Sequence, residues 1–295
     1  MASLLDWGIE VVLWFQQFSP ALDLPFKAIT LLGEETFYLI FMPLVYWCID
    51  RRNGARLFIL LLLSAYLNAI AKVLANQPRP FTYDHRVRPI ATAEGGGLPS
   101  GHTQNAVVIW GYLAARSGKA TAWLAAGFLM VAIPLSRVYL GVHFPTDLIG
   151  GYLLGALILI LFLRLAFRLE IWLAEQGVVR QILISLGGPM ILILLNAGGD
   201  KAVLSMASVL MGICAGFALE RRFVGFSCNG SWWERILRYL LGGAVLFALW
   251  GGLKTAFADL EPAALFRFIR YSLLGLWGGV GAPWVFVRMK LADRE

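Results

Sequence analysis

Long, continuously apolar segments constrain this chain more than any other feature of its sequence. They fall near 35–50, 55–75, 103–116, 120–136, 147–167, 181–196, 203–219, 236–253 and 265–287, each bounded by charge, Gly or Pro. A run of about 20 apolar residues crosses the hydrocarbon core as an α-helix, because a helix satisfies its backbone polar groups within the segment. Nine spans are therefore expected. Residues 3–18 form a tenth candidate, which Asp6 and Glu10 suit equally to an interfacial or re-entrant position. Composition agrees, since 59% hydrophobic and 15% charged residues leave too little polar surface to wrap a water-soluble globule. Strands of a membrane barrel would alternate over about 10 residues, and these runs do not. No basic segment leads into a small-residue cleavage site near the start, so no cleavable signal is expected. The fold class is thus all-α, a polytopic transmembrane helical bundle.

The formal charge of +7 does not point to nucleic acid, because no basic patch interleaves with aromatic residues. The cations flank the spans instead. If the nine spans alternate, Arg51, Arg52, Arg56, Arg116, Lys119, Arg164, Arg221, Arg222 and Arg288 share the cation-rich side, which is cytoplasmic by the positive-inside rule. The stretch Asn76–Gly101 and the link Arg137–His143 then face outward. Cys48, Cys214 and Cys228 are far apart, form no C-x-x-C and are expected to be core residues. Short loops, abundant Trp and Arg, and the expected lack of disulfides suit a bacterial inner membrane with the outward face periplasmic.

Three polar clusters stand at span ends on the outward side. The first runs from Lys72 to Arg79, where Pro78 and Pro80 hold Arg79 extended. The second is Pro99-Ser100-Gly101-His102, in which Ser100 is the expected N-cap of the next helix and the free amides around Gly101 form an anion site. In the third, Ser136-Arg137 is followed by His143 and Asp147, and Pro145 in the first helical turn places that pair on one face. Each cluster alone has a plain structural reading as a snorkelling cation, a helix cap or a buried hydrogen bond. Together they supply three cations, an anion-binding helix start, two histidines and a carboxylate, an inventory suited to a phosphoryl group. Lys72, Arg79, Arg137, Ser100 and Gly101 are the expected phosphate-binding groups. His143 is the expected nucleophile, Asp147 its orienting carboxylate and His102 the general acid. His85, in the outer loop, is expected to be a solvated residue. His85, His102 and His143 lack zinc-site spacing and lie among cations, so neither metal nor cofactor is expected.

The ordered motifs K-x6-R-P, P-S-G-H and S-R-x5-H-x3-D closely resemble the signature of the type-2 phosphatidic acid phosphatase superfamily. The resemblance covers about residues 35–167. It implies a six-helix core with its catalytic groups at the outer membrane face, and metal-independent removal of phosphate from a lipid phosphate or diphosphate through a phosphohistidine. The stretch Leu32-Gly33-Glu34-Glu35-Thr36-Phe37-Tyr38, with Tyr46-Trp47-Cys48-Ile49-Asp50, also resembles the sphingosine-phosphate phosphatase type of branch. The chain is accordingly divided into a phosphatase core, 1–170, and additional transmembrane helices, 181–288, amounting to about four spans beyond the core. The partners expected are a lipid phosphate substrate, the bilayer and a second copy of the chain, with dimer contact or lateral support given to the Gly-rich added spans. A lipid phosphotransferase of the same family is the nearest alternative reading. A lipid transporter or scramblase, in which the cations merely bind an anionic lipid, is the different-class alternative.

Overall fold

The computed structural model describes residues 2–195 and 199–295, and the regular secondary structure of those residues is all helical, with no strand among them. In chain order the helices are α1 (Ala2–Gln16), α2 (Asp23–Leu31), α3 (Glu35–Leu44), α4 (Arg51–Ala75), the single turn α5 (Pro80–Tyr83), α6 (Gly101–Ser117), α7 (Ala120–Tyr139) and α8 (Pro145–Glu175). They continue with α9 (Val178–Leu194), α10 (Lys201–Leu219), α11 (Trp232–Ala256), α12 (Ala263–Leu276) and α13 (Ala282–Arg288). Among the described residues, five helical segments are long and apolar enough to cross a membrane, or six if the bent pair Asp23–Leu31 and Glu35–Ile49 counts as one span. The chain is an integral membrane protein. Nine was the number expected from apolar runs. The difference arises because the segments 103–116 and 181–196 fold into helices of only 17 residues each, and the helical stretch over 265–287, which carries Arg267, Arg270 and several glycines, is not among the spans that are apolar enough. The region 168–180, which lies between the expected core and the added spans, is mostly a continuation of α8, which runs unbroken for 31 residues to Glu175.

Two compact units are present, Met1–Tyr38 with Leu67–Arg164, and Leu39–Tyr66 with Leu165–Glu295. In the first, α6 and α7 pair, and α1 and α2 lie along α7. Glycines permit the closest approaches. A Cβ on Gly151 of α8 would stand 2.7 Å from the Ser100 carbonyl oxygen, and one on Gly155 would stand 2.9 Å from that of Gln104. Ser100 caps α6 as expected, accepting the Thr103 amide at 3.4 Å, and Pro145 is the first residue of α8. Between α7 and α8, Leu140, Val142 and Phe144 are fully buried. Phe144 packs with Ile9 and Val12 of α1, while Leu140 and Val142 pack with Phe15, Phe26 and Phe81. Alternate residues of this short link are thus pinned, and the one between Val142 and Phe144 is held with them.

In the second unit α10 is the most enclosed helix, with Ser205, Ser208, Gly212 and Gly216 among its buried residues. It pairs with α12 through small residues: a Cβ on Gly212 would collide with the Ser272 carbonyl oxygen, and one on Gly275 would lie 2.5 Å from that of Val209. Small residues at a helix crossing let two backbones gain dispersion contact that lipid cannot match. The π-helical turns Val45–Ile49 and Trp277–Gly281 meet through side chains, Tyr46 Oη donating to the Gly279 carbonyl at 3.1 Å and Trp47 Nε1 to that of Gly278 at 3.0 Å. At the pair Gly251-Gly252, by contrast, a Cβ would meet nothing within 4 Å among the described residues. Gly212→Val should therefore lower thermal stability in detergent by about 1–3 kcal/mol through overpacking. Gly252→Ala should be neutral or slightly stabilising. Thermal unfolding of both variants checks this, and an unchanged midpoint for Gly212→Val would contradict the packing described.

Candidate active site

Asp147 lies in the first turn of α8 because Pro145 starts that helix, and its side chain is completely buried. One oxygen, Oδ2, accepts from His143 Nδ1 at 3.0 Å and from the Phe144 amide at 3.0 Å. The other, Oδ1, accepts from Gln77 Nε2 at 2.6 Å. A carboxylate can only accept from the imidazole here, so Nδ1 carries the proton and Nε2 keeps its lone pair. Arg79 Nη1 stands 3.3 Å from that Nε2. His143 is 2% exposed. Burial first, then the positive charges of Arg79, Lys72 and Arg137, and lastly His102, hold its imidazole well below the ordinary value of 6.5.

The prolines keep Arg79 extended as expected, at φ −89° and ψ 160°. Its guanidinium braces the outer loop, donating from Nε to the Gly95 carbonyl at 2.9 Å, from Nη2 to that of Glu94 at 2.6 Å and from Nη1 to that of Val142 at 2.8 Å. Lys72, in the last turn of α4, donates to the Gly96 carbonyl at 2.6 Å. Two cations are thus seated on the run Gly95-Gly96-Gly97. A Cβ on Gly97 would come 2.8 Å from Asp147 Oδ2, so only glycine lets the loop approach the carboxylate.

Ser100 is joined to the third motif by its amide, which donates to the Asp147 carbonyl at 2.9 Å. A Cβ on Gly101 would stand 3.0 Å from Asn68 Oδ1, and Asn68 in turn donates to Gln104 Oε1 at 2.8 Å and to the Pro99 carbonyl at 3.3 Å. His102 is the second residue of α6, and its Nε2 is buried with no hydrogen-bond partner among the described residues. Gly33 lies against its ring, since a Cβ there would fall 2.6 Å from His102 Cδ2. Arg137 is held from the same side, donating from Nη1 to Thr30 Oγ1 at 2.6 Å, while its Nε has no partner among the described residues. His102 and Arg137 act on His143 through charge, with no hydrogen bond among the three.

The structure therefore joins Arg79, His143 and Asp147 directly, and it joins Lys72 and Ser100 through backbone. Sequence reasoning missed Asn68, Gln77, Thr30, Gly33 and the glycine run. Three successive glycines between two motifs were the one available signal. The loop residues Tyr83, Asp84 and Arg86 pair with each other and with α1: Tyr83 Oη donates to Asp6 at 2.9 Å, and Arg86 bonds Asp84 at 2.8 Å and Glu10 at 3.1 Å.

Comparison with known proteins matches the family described as "PAP2 superfamily" over residues 53–171, and "PAP2 superfamily phosphatase, transmembrane extension" over residues 204–294. The chain therefore carries a PAP2 superfamily domain followed by that superfamily's transmembrane extension. Lipid phosphate phosphatase delta of Arabidopsis thaliana is 29% identical over 186 residues, which cover 57% of this chain and 44% of that protein. Sphingosine-1-phosphate phosphatase 2 of Mus musculus is 32% identical over 143 residues, covering 46% of this chain and 40% of its own length. The crystal structure of a transmembrane PAP2 type phosphatidylglycerolphosphate phosphatase from Bacillus subtilis aligns with TM-score 0.49 at 24% identity, over 57% of this chain and 88% of that one. The chain spans less than half the length of the two curated relatives.

The geometry has a spectroscopic consequence. Because its folded value is depressed, His143 should stay neutral, with the proton on Nδ1, as pH falls through 6.5, and should protonate only well below it. Nitrogen-15 histidine spectra of the purified protein check this. Protonation of His143 near 6.5 would contradict it.

Proposed function

We propose that this protein is a metal-independent membrane phosphohydrolase that removes phosphate from a lipid phosphate or diphosphate through a phosphohistidine on His143. The observation that carries the reading is the buried line Asp147–His143–Arg79, with a deprotonated Nε2 at 3.3 Å from a guanidinium. Nε2 attacks phosphorus as the bond to the lipid oxygen breaks. Arg79, Lys72 and Arg137, with the amides at Ser100 and Gly101, neutralise the charge that spreads over the equatorial oxygens. Asp147 stabilises the cationic imidazole that forms. His102 gives its proton to the departing oxygen, and the dianionic substrate beside it favours the protonated form needed for that step. The same residue then takes a proton from water as it attacks the phosphohistidine, releasing inorganic phosphate and restoring His143.

Every group invoked belongs to the first structural unit. The relatives' names, lipid phosphate phosphatase and sphingosine-1-phosphate phosphatase, support a lipid phosphate as substrate. With the cation-rich side cytoplasmic, the site opens to the periplasmic face of a bacterial inner membrane, and the bilayer delivers the substrate sideways. The added helices serve as support, and the open face at Gly251-Gly252 suits contact with a second copy. Purified protein given phosphatidate, phosphatidylglycerol phosphate, a polyprenyl diphosphate and a sphingoid phosphate in detergent with EDTA should release phosphate from at least one. His143→Ala should lower that release by about 10³-fold or more. Full turnover in the variant, or loss of turnover with EDTA, would refute the proposal.

A further inference from the structure

The second unit contains a cavity of about 810 Å³ that takes no part in the chemistry above. Arg51, Arg52, Arg56 and Arg221 line it beside Asp50, Glu170, Glu220 and Glu295, and Ile59, Ile171 and Phe217 supply apolar wall. The carboxylates are already engaged. Asp50 accepts from the Asn53 amide at 2.8 Å and from Asn53 Nδ2 at 2.7 Å, capping α4. Glu220 accepts from the Phe226 amide at 2.8 Å and from Arg51 at 3.4 Å, and Arg51 also meets Glu295 at 3.4 Å. Glu170 is shared by two guanidiniums, Arg56 Nη2 at 2.6 Å and Arg52 Nη2 at 3.0 Å.

That distribution leaves cationic donors open where the cavity meets its surroundings. Arg52 donates from Nε at 3.3 Å and from Nη2 at 3.0 Å to one oxygen of Glu170, which leaves its Nη1 to spare on a side chain 63% exposed, and Arg221 is exposed and forms no ion pair among the described residues. Ile59 lies on α4 beyond Arg56, so the same helix offers charge at its start and an apolar surface further in. Charge at the rim over an apolar wall matches a phospholipid, whose phosphate takes guanidinium donors while its acyl chains take the wall. The volume is far larger than an inorganic phosphate needs and suits a headgroup with part of its chains.

We propose that this cavity binds one anionic phospholipid, with its phosphate on Arg52 and Arg221 and its chains along Ile59, Ile171 and Phe217. The lining is balanced in charge, with four guanidiniums and four carboxylates, so a net negative headgroup is favoured by the unused N–H donors of the exposed Arg52 and Arg221 and not by an excess of positive charge. The site is separate from the phosphohistidine chemistry, so its occupancy is readable without turnover.

The test uses the delipidated full chain incubated with equal amounts of phosphatidylglycerol and phosphatidylcholine of matched chains, followed by native mass spectrometry. Wild type and His143→Ala should both retain one phosphatidylglycerol with about tenfold preference. Arg52→Gln with Arg221→Gln should retain the two lipids equally, with Arg56 still holding Glu170. Should that double variant fail to fold, Arg221→Gln alone is compared with Arg221→Lys, and only the lysine variant should keep the preference. Equal retention by wild type, an undiminished preference in the glutamine variants, or displacement of the lipid by excess inorganic phosphate would each overturn the proposal.

Discussion

The buried carboxylate of Asp147 is the interaction on which the candidate site in the first unit depends. Its side chain takes His143, the Phe144 amide and Gln77, and its backbone carbonyl takes the amide of Ser100. All three sequence motifs are thereby tied to one residue in the first turn of α8. A buried carboxylate is costly to desolvate, and the cost is met only where every acceptor site is filled with good geometry. Removing any one donor loosens the arrangement of the others, so the motifs form a unit although they are far apart in the chain.

Around that anion the fold gathers three cations, and it holds two of them with backbone carbonyls and the third with a side-chain hydroxyl. Arg79 and Lys72 are bound to the loop Glu94–Gly97, and Arg137 is held by Thr30. The carbonyls are neutral, so they orient the side chains without cancelling their charge. A phosphate entering such a site meets donors already in place, which is the sense in which electrostatic stabilisation costs no reorganisation at the moment of reaction. Burial, reinforced by the same positive field, keeps His143 neutral, as the proposed role of nucleophile requires.

The class of fold and the chemical motifs were legible because they rest on local rules: length of apolar run, a Ser N-cap, Pro at the start of a helix, and an i,i+4 pair. Arg79 is extended and Ser100 caps α6 just as their neighbours dictate. What was not legible depends on approach between segments distant in sequence. Gly33 carries no local mark that it will lie against His102, and Thr30 none that it will hold Arg137. Gly151 and Gly251 sit in similar pairs, yet one touches a neighbouring backbone and the other faces open space. The count of spans differed for a related reason: hydropathy sees the apolar run, but where the helix starts and stops decides whether it is long enough to cross.

The central claim is that His143 Nε2 becomes covalently bonded to phosphorus. Rapid quench of the purified protein with a radiolabelled lipid phosphate, followed by peptide mapping of acid-labile, base-stable label, tests it most directly. Label on the peptide containing His143, absent from His143→Ala, is the result this account predicts. Turnover without label on His143, or label on another residue, would contradict it.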